Sequence, residues 1–136
     1  MSKIEKFIHE AGNVKFRSAY RDSMYFVIKD KDETGLLSGP SNIFYVAFAI
    51  GYHFNKQEEI AKKAINHVNL VSLDIGIKEL MARMVLKKKP EINNPEDLWK
   101  EVEKYAEYGI QVLFNTLQEK GNVLDIPTIL EKDIES

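Results

Sequence analysis

The chain contains no cysteine. That excludes disulfides, Cys-ligated zinc and thiol catalysis, and it suits a reducing compartment. An excess of charge is missing as well. Nineteen basic residues against 21 acidic ones leave a formal net charge of −2. The chain as a whole therefore exerts no pull on nucleic acid, and any such contact has to be a local patch. Long apolar runs are absent too: the most apolar stretch, Ile43 to Phe54, is shorter than the roughly 20 residues a bilayer-spanning helix needs. The opening residues MSKIEKF lead into no apolar segment of the kind a secretory signal carries, so a cytoplasmic location without membrane contact is the expectation.

Chemistry-bearing motifs are equally scarce. There is no HExxH, no GxSxG elbow and no glycine-rich phosphate loop. The histidines His9, His53 and His67 have no second histidine three or four residues away, and Glu-x-x-His pairs of the di-iron type do not occur. No catalytic residue, metal or cofactor is expected. The reading leans away from an enzyme, with a metal site built from His53 or His67 and distant acids kept as an alternative.

What is present is material for one core. The 136 residues are the size of a single domain, and an apolar fraction of 44% is ordinary for a globular protein of that length. Ser2 and Glu5 are spaced as a capping box, and Ile4, Phe7, Ile8 and Ala11 share a helical face, so a short helix over about 3–11 is expected, stopped by Gly12-Asn13. Residues 14–29 suit a helix through Phe16, Ala19, Tyr20 and Met24, although 24–28 is rich in strand formers. Helix is preferred because little else offers such a strand a partner. A polar loop at 29–39 follows, with Leu36 and Leu37 turned back to the core. Gly39-Pro40 then opens the central stretch, with Ser41 or Asn42 as cap.

Eight consecutive apolar residues, Ile43 to Ile50, do not settle helix against strand by period. The alanines and the helical neighbours favour a helix buried on most sides. On that helix Ala47 and Gly51 form a strip of small residues. Ile60, Ala61, Ala64, Ile65 and Val68 make a further helical stripe, and Leu73, Ile77, Leu80, Met81, Met84 and Val85 another; Asn69 or Ser72 could separate them as a cap, or one helix could run through, and Pro90 ends the second. Asn94-Pro95-Glu96-Asp97 is the strongest helix start in the chain. The helix it opens keeps its period to about residue 120, with Gly121 as its stop and a possible short helix in the tail near 129–134. Within it Gly109 costs about 1 kcal/mol against alanine, which a close helix crossing would explain. Ala106 and Gly109 thus become the expected counterpart of Ala47 and Gly51. The expected fold is mainly α, a single-domain bundle of five to six helices over 1–136.

Two basic clusters are candidate nucleic-acid contacts. Lys15, Arg17 and Arg21 surround Phe16 and Tyr20, and on a helix Arg17 and Arg21 would share a face. Lys87, Lys88 and Lys89 form the second, which a helix C-terminus also accounts for.

The segment Asn42 to Tyr52, a polar residue followed by Phe, an Ala-containing apolar helix and a Gly-Tyr exit, resembles small accessory proteins of DNA phosphorothioation (Dnd-type) clusters. The Arg17 to Gly35 region has a similar rhythm. Glu103 to Ile110, with Glu103-x-x-Ala106-x-x-Gly109, is similar to that group's C-terminal helix. The likeness covers about a third of the chain. It implies a non-catalytic helical accessory protein in a DNA-modification or genome-defence setting, with DNA as a possible partner, and it transfers no site residues. The alternative is a protein-interaction module that self-associates and has no nucleic-acid role.

Overall fold

The structure is a computed structural model and describes residues 2–12, 14–31 and 39–120. Five α-helices and one pair of short strands make up the described part, so the fold is mainly α. Helix α1 (Lys3–Glu10) is capped by Ser2, whose hydroxyl accepts from the Glu5 N–H, and Gly12 leaves it at a positive φ of 63°. Strand β1 (Lys15–Ser18) follows. A π-turn, Arg21–Tyr25, leads into α2 (Phe26–Lys31). Helix α3 (Pro40–Phe54) is the central stretch, followed after an irregular segment by β2 (Ile65–Asn69). A 3-10 turn at Leu70–Ser72 precedes α4 (Ile75–Lys88), and α5 (Pro95–Lys120) completes the described chain. Among the described residues no helix is long and apolar enough to cross a membrane.

Two of these elements replace expected helices. Residues 15–18 are a strand, not part of a helix over 14–29, and only 21–31 is helical. The stripe Ile60 to Val68 is no helix either, because 65–69 is the partner strand. Each strand is too short to show its own alternation, and each finds its partner about 50 positions away. The caps also differ in part. Gly39, with no side-chain cap, precedes Pro40 at the start of α3, in place of Ser41 or Asn42. Asp74 caps α4 through the Gly76 N–H, in place of Asn69 or Ser72. Asn94 caps α5, its side-chain oxygen accepting from the Asp97 N–H at 2.9 Å. The expected turn of Leu36 and Leu37, the stop at Gly121 and the tail helix lie outside the described residues.

The core is assembled around α3 and α5, the most extensively packed pair of elements. Ile43, Phe44, Ala47, Phe48 and Ile50 from α3 and Leu98, Trp99, Val102, Tyr105, Ile110 and Leu113 from α5 are all buried. The two backbones touch through their small residues. A Cβ built on Gly109 would lie 1.7 Å from the Ala47 carbonyl oxygen, and one built on Gly51 would lie 2.0 Å from the Tyr105 carbonyl oxygen. Neither contact leaves room for any side chain. Ala106, three residues before Gly109 on α5, is buried as well. The aromatic rings fill in around this seam, with Phe48 and Tyr52 each edge-on or tilted against Tyr105 or one another at 5.8–5.9 Å.

β1 and β2 pair antiparallel, with Lys15 opposite Asn69, Phe16 opposite Val68, Arg17 opposite Asn66 and Ser18 opposite Ile65. His67 is thus the extra residue of a β-bulge, which re-aims its side chain. Along β1 the side chains alternate, Phe16 and Ser18 inward and Lys15 and Arg17 outward. Phe16 stacks on Phe44 with ring centroids 4.7 Å apart and meets Trp99 edge-on at 6.3 Å. The strand is therefore pinned to both central helices by one ring.

Candidate functional site

The six basic candidates do not form one patch. Arg21 is half-buried and committed: its Nε donates to Asp22 at 3.2 Å, its guanidinium to the Asn66 carbonyl at 3.3 Å, and it lies 5.5 Å from the Phe26 ring. It shares no helix face with Arg17, because Arg17 is on β1. Lys88 donates to the Tyr52 carbonyl at 2.5 Å and to Asn55, with its ammonium 3.7 Å from the Tyr52 ring centroid. It therefore serves the C-terminus of α3, where orphan carbonyls need donors, and not the end of its own helix. Burial, with Lys89 beside it, pulls its pKa below the usual lysine value. Lys89 bonds Gln57 and pairs with Glu101 at 2.9 Å. Burial pushes the Glu101 carboxyl up, but hydrogen bonds from Gln57 and Lys89 outweigh it and the pKa ends below the usual value.

Lys15, Arg17, Lys87 and Lys88 are exposed, although Lys88 is engaged as above, and the two clusters lie on different sides of α5. The lysine cluster engages Glu101 and Tyr105, whereas β1 engages Glu103 and Glu107. Two positions along a helix are about 200° apart around its axis.

The contact between β1 and α5 is made by buried acids. Glu103 accepts from the main-chain N–H of Arg17 at 2.7 Å, and Glu107 from that of Ala19 at 2.9 Å. Glu107 also accepts from the Ser18 hydroxyl at 2.6 Å. The spacing explains the fit. Two residues along a strand advance about 6.6 Å, and four along a helix about 6 Å. Two glutamates at i and i+4 can therefore meet two N–H groups at i and i+2. Next to them Glu58, from the irregular segment before β2, accepts from the Tyr20 hydroxyl at 2.6 Å and from Gln111 at 2.7 Å. Burial pushes the carboxyls of Glu103 and Glu107 up. Hydrogen bonds from Arg17, and from Ser18 and Ala19, offset part of that rise. The hydrogen bond to Glu58 lifts the Tyr20 hydroxyl to about 12, with burial adding to it.

An open cleft of about 570 Å³ lies where this capping stops. One wall is β1 from Lys15 to Arg17, a second is the first turns of α5, with Pro95, Trp99 and Glu103 in a row at helical spacing, and the end of α1 closes the cleft with Glu10 and Ala11. Lys100 stands on the rim, paired with Glu96 at 3.1 Å. Trp99 is 1% exposed, and its indole N–H has no partner among the described residues.

The volume is in the range of ligand sites, about 300–1,000 Å³. The walls offer main-chain groups, one buried carboxylate and both signs of charge.

Of the residues singled out in the sequence, Lys15 and Arg17 line the cleft. Ala47, Gly51 and Gly109 meet in the α3–α5 seam, and Ala106 is buried on α5. His9 ends α1 and His53 lies in the last turn of α3, edge-on to Phe54 at 5.4 Å. His67 packs on Tyr25 at 4.0 Å, both its ring nitrogens shut from water and without a partner among the described residues. Burial, with Arg21 nearby, lowers its pKa to about 4. No motif in the sequence marks Trp99, Glu107, Lys100 or Glu58 as functional, and Glu103 stands only in a packing motif. The signal for the acids is their position: Glu103 and Glu107 interrupt the face that Trp99, Ala106 and Ile110 keep apolar, and burial there requires a partner. No protein-family model, curated protein or solved structure was found to match the chain.

Proposed function

We propose that this chain is a non-catalytic accessory protein that works by docking another protein, and that the cleft between β1 and α5 is the docking surface. The half-covered strand edge carries this reading: α5 caps it at Arg17 and Ala19 and leaves it open beside Lys15. Glu103 and Glu107, the acids that meet β1, are spent on main-chain and side-chain donors, which is a structural use. Of the six basic candidates for DNA contact, only Lys15 and Arg17 border this surface. Three others serve internal partners. The DNA-modification setting that the resemblance implies is kept as a setting in which an accessory protein would dock.

Replacing Lys100 on the rim by a photo-crosslinking phenylalanine, with Lys62 as an exposed position away from the cleft, tests this reading in cells. A discrete protein adduct from position 100 and none from 62 is expected. Nucleic-acid adducts at position 100, or duplex DNA retention that salt weakens and the Arg17→Ala/Arg21→Ala pair abolishes, would return the DNA reading.

One observation favours self-association as a second reading. Val71 and Ile75, four residues apart at the entry to α4, are 60% and 56% exposed. Sedimentation at micromolar concentration should then give a dimer that Val71→Ser with Ile75→Ser dissociates; a monomeric parent protein removes this reading.

A further inference from the structure

The direction of the main chain in β1 says what the cleft can take. The Val14 carbonyl accepts from the Leu70 N–H, so Val14 faces β2. Main-chain groups alternate sides along a strand, so those of Lys15, Arg17 and Ala19 face away from β2. The bonds from Arg17 and Ala19 to α5 agree with that alternation. The same series places the N–H and C=O of Lys15 on the free edge, where they bond to no described residue. One helical turn before Glu103, where a third acceptor would stand, α5 carries Trp99. An indole donates and does not accept. The edge is thus covered at two steps and open at the third, and the cleft lies at the open step.

A donor and an acceptor on one strand residue, both pointing out of the sheet, are complementary to the N–H and C=O of another extended chain. A strand added there would bring its outward side chains beside Lys15 and Arg17, which are exposed on that face. Opposite charges across neighbouring strands are favoured and like charges disfavoured.

We propose that the cleft recognises an extended peptide segment of a partner protein that adds to β1 beside Lys15 and carries acidic side chains at alternate positions. The proposal rests on the docking reading above and names the chemistry of the partner. Main-chain pairing with Lys15 supplies the anchor, Lys15 and Arg17 supply the charge preference, and the Trp99 side chain forms the floor. Glu103 holds the edge in place by keeping the Arg17 N–H occupied, so the added strand stops at that step.

Trp99 is the one tryptophan in the chain, so its emission reports on the cleft in the full-length protein. The probe is an acetylated, amidated pentapeptide, Glu-Val-Glu-Val-Glu. A saturable shift of Trp99 emission is expected, together with slowed exchange of the Lys15 amide. N-methylation of alternate residues in the peptide, or exchange of its glutamates for lysines, should weaken binding about tenfold or more.

Lys15→Pro removes the edge donor at a position where an edge strand tolerates proline, and it should abolish the response. Lys15→Gln should weaken it by a few-fold only. No response up to about 1 mM, equal binding of the N-methylated peptide, or displacement by a duplex oligonucleotide would each overturn strand addition. A protein adduct from position 100 without a peptide response sinks strand addition and leaves docking standing; absence of both sinks the two together.

Discussion

The two sides of α5 are packed by opposite means. Toward α3 the contact is backbone on backbone: Gly109 lies under Ala47 and Gly51 under Tyr105, with no space for one additional carbon. Toward β1 the contact is carboxylate on main-chain N–H, through Glu103 and Glu107, both buried. The first side is held by close apolar packing and fails by steric overlap. The second is held by a few hydrogen bonds to charged groups and fails when a buried donor loses its acceptor. The cleft lies on the second side, where there are gaps to leave, and the seam has none.

The largest effect should come from breaking the seam. Gly109→Ala removes a helix-weakening glycine, which in an open helix would stabilise by about 1 kcal/mol. Here the new Cβ meets main-chain atoms of Ala47 and Gly51, so a loss of about 3–5 kcal/mol in denaturant unfolding is expected instead. The sign alone decides whether the seam is as close as described.

Breaking the other side comes next. Glu107→Ala leaves the Ser18 hydroxyl and Ala19 N–H without their acceptor. It should lower stability by about 2–4 kcal/mol, with Glu107→Gln recovering part of it. Equal losses for the two variants would mean that the side chain's volume matters there and its acceptors do not.

The pH dependence sharpens the contrast further, because the buried groups next to β1 pull in opposite directions. The folded pKa of His67 is lowered to about 4 from 6.5. Between those values the unfolded chain binds more protons, so this group's contribution is present above pH 6.5 and is lost as pH falls toward 4. Glu103 and Glu107 are raised by burial. Their folded forms hold protons longer, so they stabilise at low pH and that stability is lost as pH rises through their folded pKa. His67→Phe should flatten the fall on the acid side without loss at pH 7, and Glu107→Gln should make it steeper, both read from thermal melts between pH 4 and 7. Parallel pH profiles for wild type and His67→Phe would show that the bulge is open to water.

The smallest effect tests how the lysines are used. Lys88→Met should cost about 1 kcal/mol, since the Tyr52 carbonyl loses its donor and the ring its cation. Lys87→Met, at an exposed position, should change nothing measurable by the same unfolding assay.

Much of the seam is legible in the sequence, and little of the cleft is. Ala47 and Gly51 stand four apart in an apolar helix, and Gly109 is an unfavourable residue in a long one; local periodicity is enough to notice both. Asn94-Pro95 announces the start of α5 in the same local way. The sheet is different. Phe16, Ala19 and Tyr20 fit a helical spacing, as do Ile60, Ala64 and Val68, and four or five residues of strand are too few to contradict them. Only the pairing of Phe16 with Val68 makes either segment a strand. Lys15 and Arg17 could be picked out as exposed cations, but on a helix they would have stood beside Arg21. As strand residues they alternate with Phe16, and Arg21 turns away to Asp22 and Asn66.

By itself, then, the sequence determined the helical class, the caps at Ser2 and Asn94, and the small residues that let α3 and α5 touch, because each rests on chemistry repeated within a turn or two of chain. The tertiary structure alone decided that Glu103 and Glu107 meet the edge of β1, that His67 is a bulge, that Lys88 closes another helix, and that the edge stays open at Lys15. Those depend on the phase of α5 against a strand some 85 residues before it, and no local pattern of residue types carries a phase over that distance.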